Sequence, residues 1–205
     1  AETTAQALAS PHLEGFKSKN IPVLIMTDAI DQFWLPMVGS FKEKKFTSIT
    51  QGKINLDELD SKNKDKKNKS NDDKDKQDKE YVDLIAQLKV VLGDQVKDIR
   101  LSSKLTDSPV CLVADEGDMD IAMEQLMAQR DSNYKGAPRI LEINGDHSLI
   151  KNMKSLLSKK ESNDLVSDAG TLLFEQARLM EGKMPADPAQ FSKIMNQFLL
   201  KAIPN

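Results

Sequence analysis

Residues on which cross-linked, metal-bound and catalytic proteins rely are scarce in this sequence. Its 205 residues include one cysteine, Cys111, two histidines, His12 and His147, and nine glycines. A single thiol closes no intramolecular disulfide, and a cysteine-poor chain with nine methionines fits a reducing compartment, the cytoplasm by default. Two histidines and one cysteine are too few for a zinc cluster, so no metal is expected. The glycines are scattered, and neither a phosphate-cradling loop, a nucleophile elbow nor a cysteine pair can be read. No apolar run approaches the ~20 residues that span a bilayer. Residues Ala1 to Ala9 lack the charged start and apolar centre of a signal peptide. Basic excess is missing as well. With 29 basic and 32 acidic residues the formal charge is -3, and arginine occurs only at 100, 130, 139 and 178, which argues against nucleic acid as a partner. The chain opens on Ala with a helical pattern close behind, so it is expected to be a piece of something longer.

What is present reads as α+β: a small αβα piece, a polar tract, then a helix-rich domain with a small sheet and a terminal helical hairpin. The expected boundaries are 1–56, 57–80 and 81–205. Ala5 to Asn20 should be two helical pieces broken near Pro11. Ile21 to Met26 is apolar apart from Pro22 and too short for a helix, which predicts a strand covered on both faces. Asp28 is placed to cap a helix bearing Ile30, Phe33, Trp34, Met37 and Val38 on one face, kinked at Pro36. Lys45 to Thr50 is a further candidate strand.

From Lys62 to Lys79 only Lys, Asp, Asn, Ser and Gln occur, eight of them Lys and five Asp. Nothing there offsets an ordering cost of ~1 to 2 kcal/mol per residue, so a solvated linker or frayed helix extension is expected. A tail for acidic partners is the alternative, weakened by the interspersed Asp and the lack of Arg or aromatic residues.

Beyond it, Tyr81 to Leu92 should be a helix with Val82, Ile85, Leu88 and Leu92 on its stripe and Gly93 at its end. Val96 to Leu101, Pro109 to Ala114 and Arg139 to Ile143 read as strands, the last alternating about Ile140 and Glu142. Asp118 to Gln129 and a segment opening at Asp146, with Leu149, Ile150, Met153, Leu156 and Leu157, read as helices. The last two helices carry the clearest pattern. Leu165, Ala169, Leu172, Leu173, Ala177 and Met180 share one face. Asp187 and Gln190 then form a capping-box spacing, Pro188 sits at the first helical position, and Phe191, Ile194, Met195, Phe198, Leu199 and Ala202 make the stripe before Pro204. Such a hairpin has more apolar face than it can cover alone.

Three separated motifs bring a resemblance into view. Arg100-Leu-Ser-Ser-Lys-Leu-Thr-Asp-Ser-Pro109 and Leu141-Glu-Ile-Asn-Gly-Asp-His147 resemble motifs in the C-terminal domain of the ninety-kilodalton heat-shock protein family. Pro11-His-Leu-Glu14 with Met26-Thr-Asp-Ala-Ile-Asp31 resembles the end of that family's middle domain. Gly145 stands where the family usually has Pro. The resemblance covers nearly the whole chain except the Lys/Asp tract. It implies an ATP-dependent chaperone of the stress response and protein folding, with ATP and Mg handled upstream of Ala1, so that the chain itself is not expected to be an enzyme. It also implies a homodimer through the last two helices and contact with unfolded or partly folded clients. For client contact it points to Met119, Met123, Leu126 and Met127, at i, i+4, i+7 and i+8, and to Phe33 and Trp34. Methionine suits a surface that must accept many apolar shapes. The implied dimer residues are Leu165, Ala169, Leu172, Leu173, Ala177, Met180, Phe191, Ile194, Met195, Phe198 and Leu199. The chain ends without the acidic tail that docks tetratricopeptide co-chaperones, so that partner is not expected, nor is a membrane.

Blander readings stand beside these. The methionine stripe read alone suits a core, Trp34 a packing residue, Cys111 a small buried hydrophobe, and His147 an ordinary surface residue behind an Asp146 cap. Two other function classes remain: a small α/β enzyme domain acting through Asp115, Glu116 and Asp118, and a purely structural oligomerisation module.

Overall fold

The computed structural model describes residues 3–52, 54, 56–59, 79–131, 134, 136–157 and 163–203. The Lys/Asp tract, apart from Lys79, lies outside them.

The N-terminal piece begins with α1 (Thr4–Ala9), capped by the Thr3 hydroxyl, and a 3-10 turn at Pro11–Leu13 that leads into α2 (Glu14–Ser18). Pro11 breaks the helix as its missing N–H requires. Helix α3 (Asp31–Val38) contains Pro36 and ends at Gly39, followed by a hairpin of β1 (Ser40–Phe41) and β2 (Lys44–Lys45). The cap at α3 is reciprocal: Ile30 N–H donates to Asp28 Oδ1 and Asp28 N–H to Asp31 Oδ2, both at 3.1 Å.

Two expected strands are corrected. Ile21 to Met26 has no regular structure and Leu24 is 72 % exposed. Its apolar run is real, but a strand exists only through the ladder of a neighbour, and among the described residues none lies beside it. Lys45 to Thr50 is strand only at Lys45; the segment after it is irregular until Gln51 bridges to Ala114. A short helix α4 (Leu56–Leu59) follows.

The C-terminal part is built on a three-stranded mixed sheet in the order β3 (Val96–Leu101), β5 (Arg139–Ile143), β4 (Val110–Val113). β5 runs parallel to β3, with Ile99 opposite Leu141, and antiparallel to β4, with Leu112 opposite Leu141. Central β5 is buried at all five positions, not alternately as expected, because Glu142 is covered along with its apolar neighbours. One face is packed by α5 (Val82–Leu92), α7 (Ser148–Leu157) and α8 (Asn163–Met180). There Leu84, Leu88 and Leu92 meet Ile99, Leu141, Ile150, Val166 and Leu173, each worth about 1.5 to 3 kcal/mol on full burial. The α5 stripe is therefore Leu84, Leu88 and Leu92, and Val82, expected on it, is exposed. On the other face Leu105, Cys111, Val113 and Ile140 form a second small cluster. Helix α6 (Ile121–Arg130) precedes β5, and α9 (Pro188–Ala202) folds back from α8. At the head of α7 the expected roles are exchanged: Leu149 N–H donates to His147 Nδ1 at 3.1 Å, so His147 supplies the capping atom.

Candidate functional site

Helix α6 is capped by Asp120, whose Oδ1 accepts from Ala122 N–H at 2.9 Å. Only Ile121 and Glu124 of its ten residues are buried. Met123, Leu126 and Met127 are half-buried, and Met119, just ahead of the helix, is exposed. The methionine stripe is thus not core. The opposite side of the helix, including Ile121 and Gln125, lines a cleft of about 2010 Å3 shared with Phe16, Phe46 and Phe174. Phe33 and Trp34 sit on α3. Trp34 is half-buried, donates from Nε1 to Asp31 Oδ1 at 2.8 Å and meets Phe46 edge-on, while Phe33 is the more open of the pair. The candidate client residues therefore fall on two elements, one in each part of the chain.

Apart from Met26 to Asp31, whose side-chain bonds stay at the head of α3, the motifs that carried the resemblance converge at the junction between those parts, a site the sequence did not disclose. Glu14 accepts from the backbone N–H groups of Thr106, Asp107 and Ser108 and, at 2.5 Å, from Ser108 Oγ. Burial pushes its carboxyl upward, but the bonds from Ser108, Asp107 and Thr106 outweigh this and hold it below the usual carboxylate range. Glu142 accepts from Arg100 Nη2 at 2.8 Å and from Ser102 Oγ at 2.9 Å. Arg100 Nη2 also reaches Gly52 O, and the buried Lys104 ammonium donates to Ile49 O at 3.2 Å. Asn144 closes the ring by donating from Nδ2 to Ser108 O. Gly15 is required here: a Cβ would lie 2.5 Å from Lys104 O, so only glycine lets α2 approach this turn.

His12 lies in the same junction, 6 % exposed, and among the described residues its Nδ1 has no hydrogen-bond partner. Burial first, then the Lys104 ammonium, push its pKa from 6.5 down to about 4, against the pull of Asp120 and Glu14. The folded state then binds fewer protons than the unfolded chain between these values. Stability should be fully present above pH 6.5 and fall as pH drops toward 4, by about 3 kcal/mol in all. Urea midpoints of the wild type and His12→Gln across this range should show the difference, the variant having the flatter profile.

The other candidate groups offer little chemistry. Asp115 and Asp118 both hold Lys97 at 2.9 Å, and the bond from Lys97 keeps the Asp115 carboxyl below its ordinary range. Cys111 is buried, and burial, then the Glu142 carboxylate, raise its thiol well above the ordinary value. Among the described residues no three His, Cys, Asp or Glu side chains are grouped to hold a metal ion. No helix there is long and apolar enough to cross a membrane.

The terminal hairpin divides its apolar residues between two tasks. Ala169, Leu173 and Ala177 are buried in the chain's own core, as is Ile194, and Phe198 packs against that core from its edge. Leu165, Leu172 and Phe191 are half-buried. Met180, Met195 and Leu199 face outward, joined by Leu179, Met184, Leu200 and Ile203, which the stripes did not include. Glu175, buried in α8, accepts from Ala186 N–H and so fixes the connecting turn.

A family model described as Hsp90 protein matches residues 1–204. The chain is 41 % identical over 196 residues to a chaperone protein HtpG of Roseobacter denitrificans, covering 95 % of this chain and 31 % of that protein. It is 40 % identical over 193 residues to the HtpG of Wolbachia pipientis wMel, covering 94 % and 30 %. Against the HtpG of Streptomyces coelicolor it is 36 % identical over 186 residues, covering 91 % and 28 %. The chain spans about 31 % of the length of the first of these curated relatives.

Proposed function

The chain belongs to the Hsp90 protein family, and from that premise we propose that it is the dimerisation and client-contacting region of an ATP-dependent chaperone that assists protein folding under stress. The observation that carries this reading is the outward apolar surface of the terminal hairpin. Met180, Met195, Leu199 and Leu200 are 55 %, 39 %, 51 % and 75 % exposed along two adjacent helices whose inner faces already serve the core. An uncovered apolar surface of this kind marks an interaction site. A second copy related by a two-fold axis would bury it as a four-helix bundle. Permanent joining at this end keeps two ATP-driven arms at high effective concentration, so their closure becomes an intramolecular event. The half-buried Met123, Leu126 and Met127, with Met119 and the aromatic pair Phe33 and Trp34, then offer adaptable apolar contacts to partly folded clients.

Met123→Asp with Met127→Asp, made in the intact protein, should raise the concentration needed to suppress client aggregation by about tenfold, since charge on an apolar docking face is desolvated without a partner. The dimer mass should not change. Suppression at the wild-type level would leave the purely structural oligomerisation module as the better reading.

A further inference from the structure

We infer that Ser48, Thr50 and Asp120 form a joint through which the N-terminal piece of the chain sets the position of α6; its functional consequence rests on the client-contacting role proposed for that helix. The Asp120 carboxylate is divided between two tasks. Oδ1 caps the helix by accepting from Ala122 N–H. Oδ2 accepts from Ser48 Oγ at 2.5 Å and from Thr50 Oγ1 at 2.9 Å, across 72 and 70 positions of sequence. The two hydroxyl oxygens are themselves 2.9 Å apart, and Ser48 Oγ accepts from Thr50 N–H at 3.3 Å, so the donor pair is held ready for the carboxylate. Hydrogen bonds to an ionised acceptor are about twice as strong as neutral ones.

These bonds matter because apolar packing does little to locate α6, which is held chiefly by polar contacts, the Glu124–Arg139 ion pair among them. Two of its ten residues are buried, and its last three, Ala128 to Arg130, are exposed. The turn before it contains Gly117 at φ +88°, a backbone conformation that favours glycine. The same connector also binds this turn: Gln51 Nε2 donates to Asp118 O at 2.6 Å, while Gly52 N–H donates to Ala114 O and Ala114 N–H to Thr50 O. Further along, Gln125 Nε2 donates to Glu181 O at 2.7 Å, and Lys183 Nζ lies 3.8 Å from Glu124, so the middle of α6 is tied to the turn of the terminal hairpin. The helix therefore lies between the two parts of the chain, held to both by polar bonds rather than by deep packing. If the N-terminal piece moves against the sheet, it must carry the head of α6 with it or break the bonds to Asp120. A signal arriving from the upstream part of a chaperone has here a physical route to the client-contacting face.

An ordinary helix cap would need only Oδ1, so the two functions of Asp120 can be separated. Ser48→Ala with Thr50→Val removes the joint and leaves the cap. In the intact protein, hydrogen–deuterium exchange at the amides of Ala122 to Leu126 should then rise by about tenfold. Exchange at Leu141 and Ile143 in the central strand should stay unchanged, and client suppression should weaken. Exchange in α6 within twofold of wild type would overturn the joint. Faster exchange in α6 with undiminished suppression would sustain the joint and remove the client role of the helix. Should exchange in the central strand rise too, Ser48→Ala and Thr50→Val, each removing one bond to Asp120, supply the comparison: α6 must respond to each before the strand does, or the joint is refuted.

Discussion

Leu199→Asp is expected to convert the proposed dimer into a species of half the mass, with the monomer fold intact. Leu199 is 51 % exposed on α9, so within one copy a carboxylate there stays hydrated. In the proposed four-helix bundle the same position is covered by the second copy, and each copy brings one aspartate without a counter-charge. An unpaired charge forced into such a contact costs about 3 to 5 kcal/mol, and two of them weaken association by four orders of magnitude or more. The 22.9 kDa chain should therefore sediment as a monomer at micromolar concentration where the wild type is dimeric. Phe198 is a poorer probe although it lies on the same stripe, because its ring packs against the chain's own core and a charge there would damage folding as well. A Leu199→Asp protein that still sediments as a dimer would move the interface away from α9.

The division of labour within the terminal hairpin illustrates what the amino-acid pattern could and could not reveal. Its two helices were legible because their ends carry strong local chemistry: Asp187 accepts from Ala189 and Gln190 N–H, Pro188 follows at the first helical position, and Gly182 sits at φ +77° after α8. The strand Arg139–Ile143 was legible from a reading of alternation about Ile140 and Glu142, although all five positions are buried. Periodicity shows that a face is covered but not by what. Ala169, Leu173 and Ala177 share a stripe with Met180, yet the first three meet the sheet side of their own chain and Met180 meets solvent. The same limit explains Ile21 to Met26, whose apolar run pointed to a covered strand although no described strand pairs with it. The junction was less legible still. Glu14 reaches Thr106 and Ser108 across 92 and 94 positions, and no spacing rule links residues so far apart. One signal was available: Lys104 lies within a motif shared with a known family, and a lysine held in a turn between buried strands needs a carbonyl or carboxylate to receive it.

Arg139 posed the same problem at the head of β5, and its answer leads to the largest expected effect on stability. Its guanidinium and the Glu124 carboxylate of α6 form an ion pair with both side chains about 95 % withdrawn from solvent. Burial lowers the Arg139 pKa, and the nearby Glu181, Asp120 and Asp118 carboxylates act to restore it. Arg139 also donates from Nη1 to Met119 O at 2.9 Å, so the pair fixes both the start of α6 and the strand that follows it. Glu124→Ala leaves the guanidinium buried with its nearest partner gone, and the expected loss is about 3 to 5 kcal/mol, a large part of the ~5 to 15 kcal/mol that holds a typical domain. The urea midpoint should fall accordingly. Glu124→Leu combined with Arg139→Met removes both charges while keeping most of the volume, and should recover the greater part of the loss, because a buried pair is costly to break but not to replace. If Glu124→Ala alone were tolerated within ~1 kcal/mol, the guanidinium would have to be reaching water or another carboxylate, Glu181 being the nearest candidate on the chemistry of the site. Recovery in the double variant together with a large loss in the single one is the pattern that assigns the pair its part in holding α6 against the sheet.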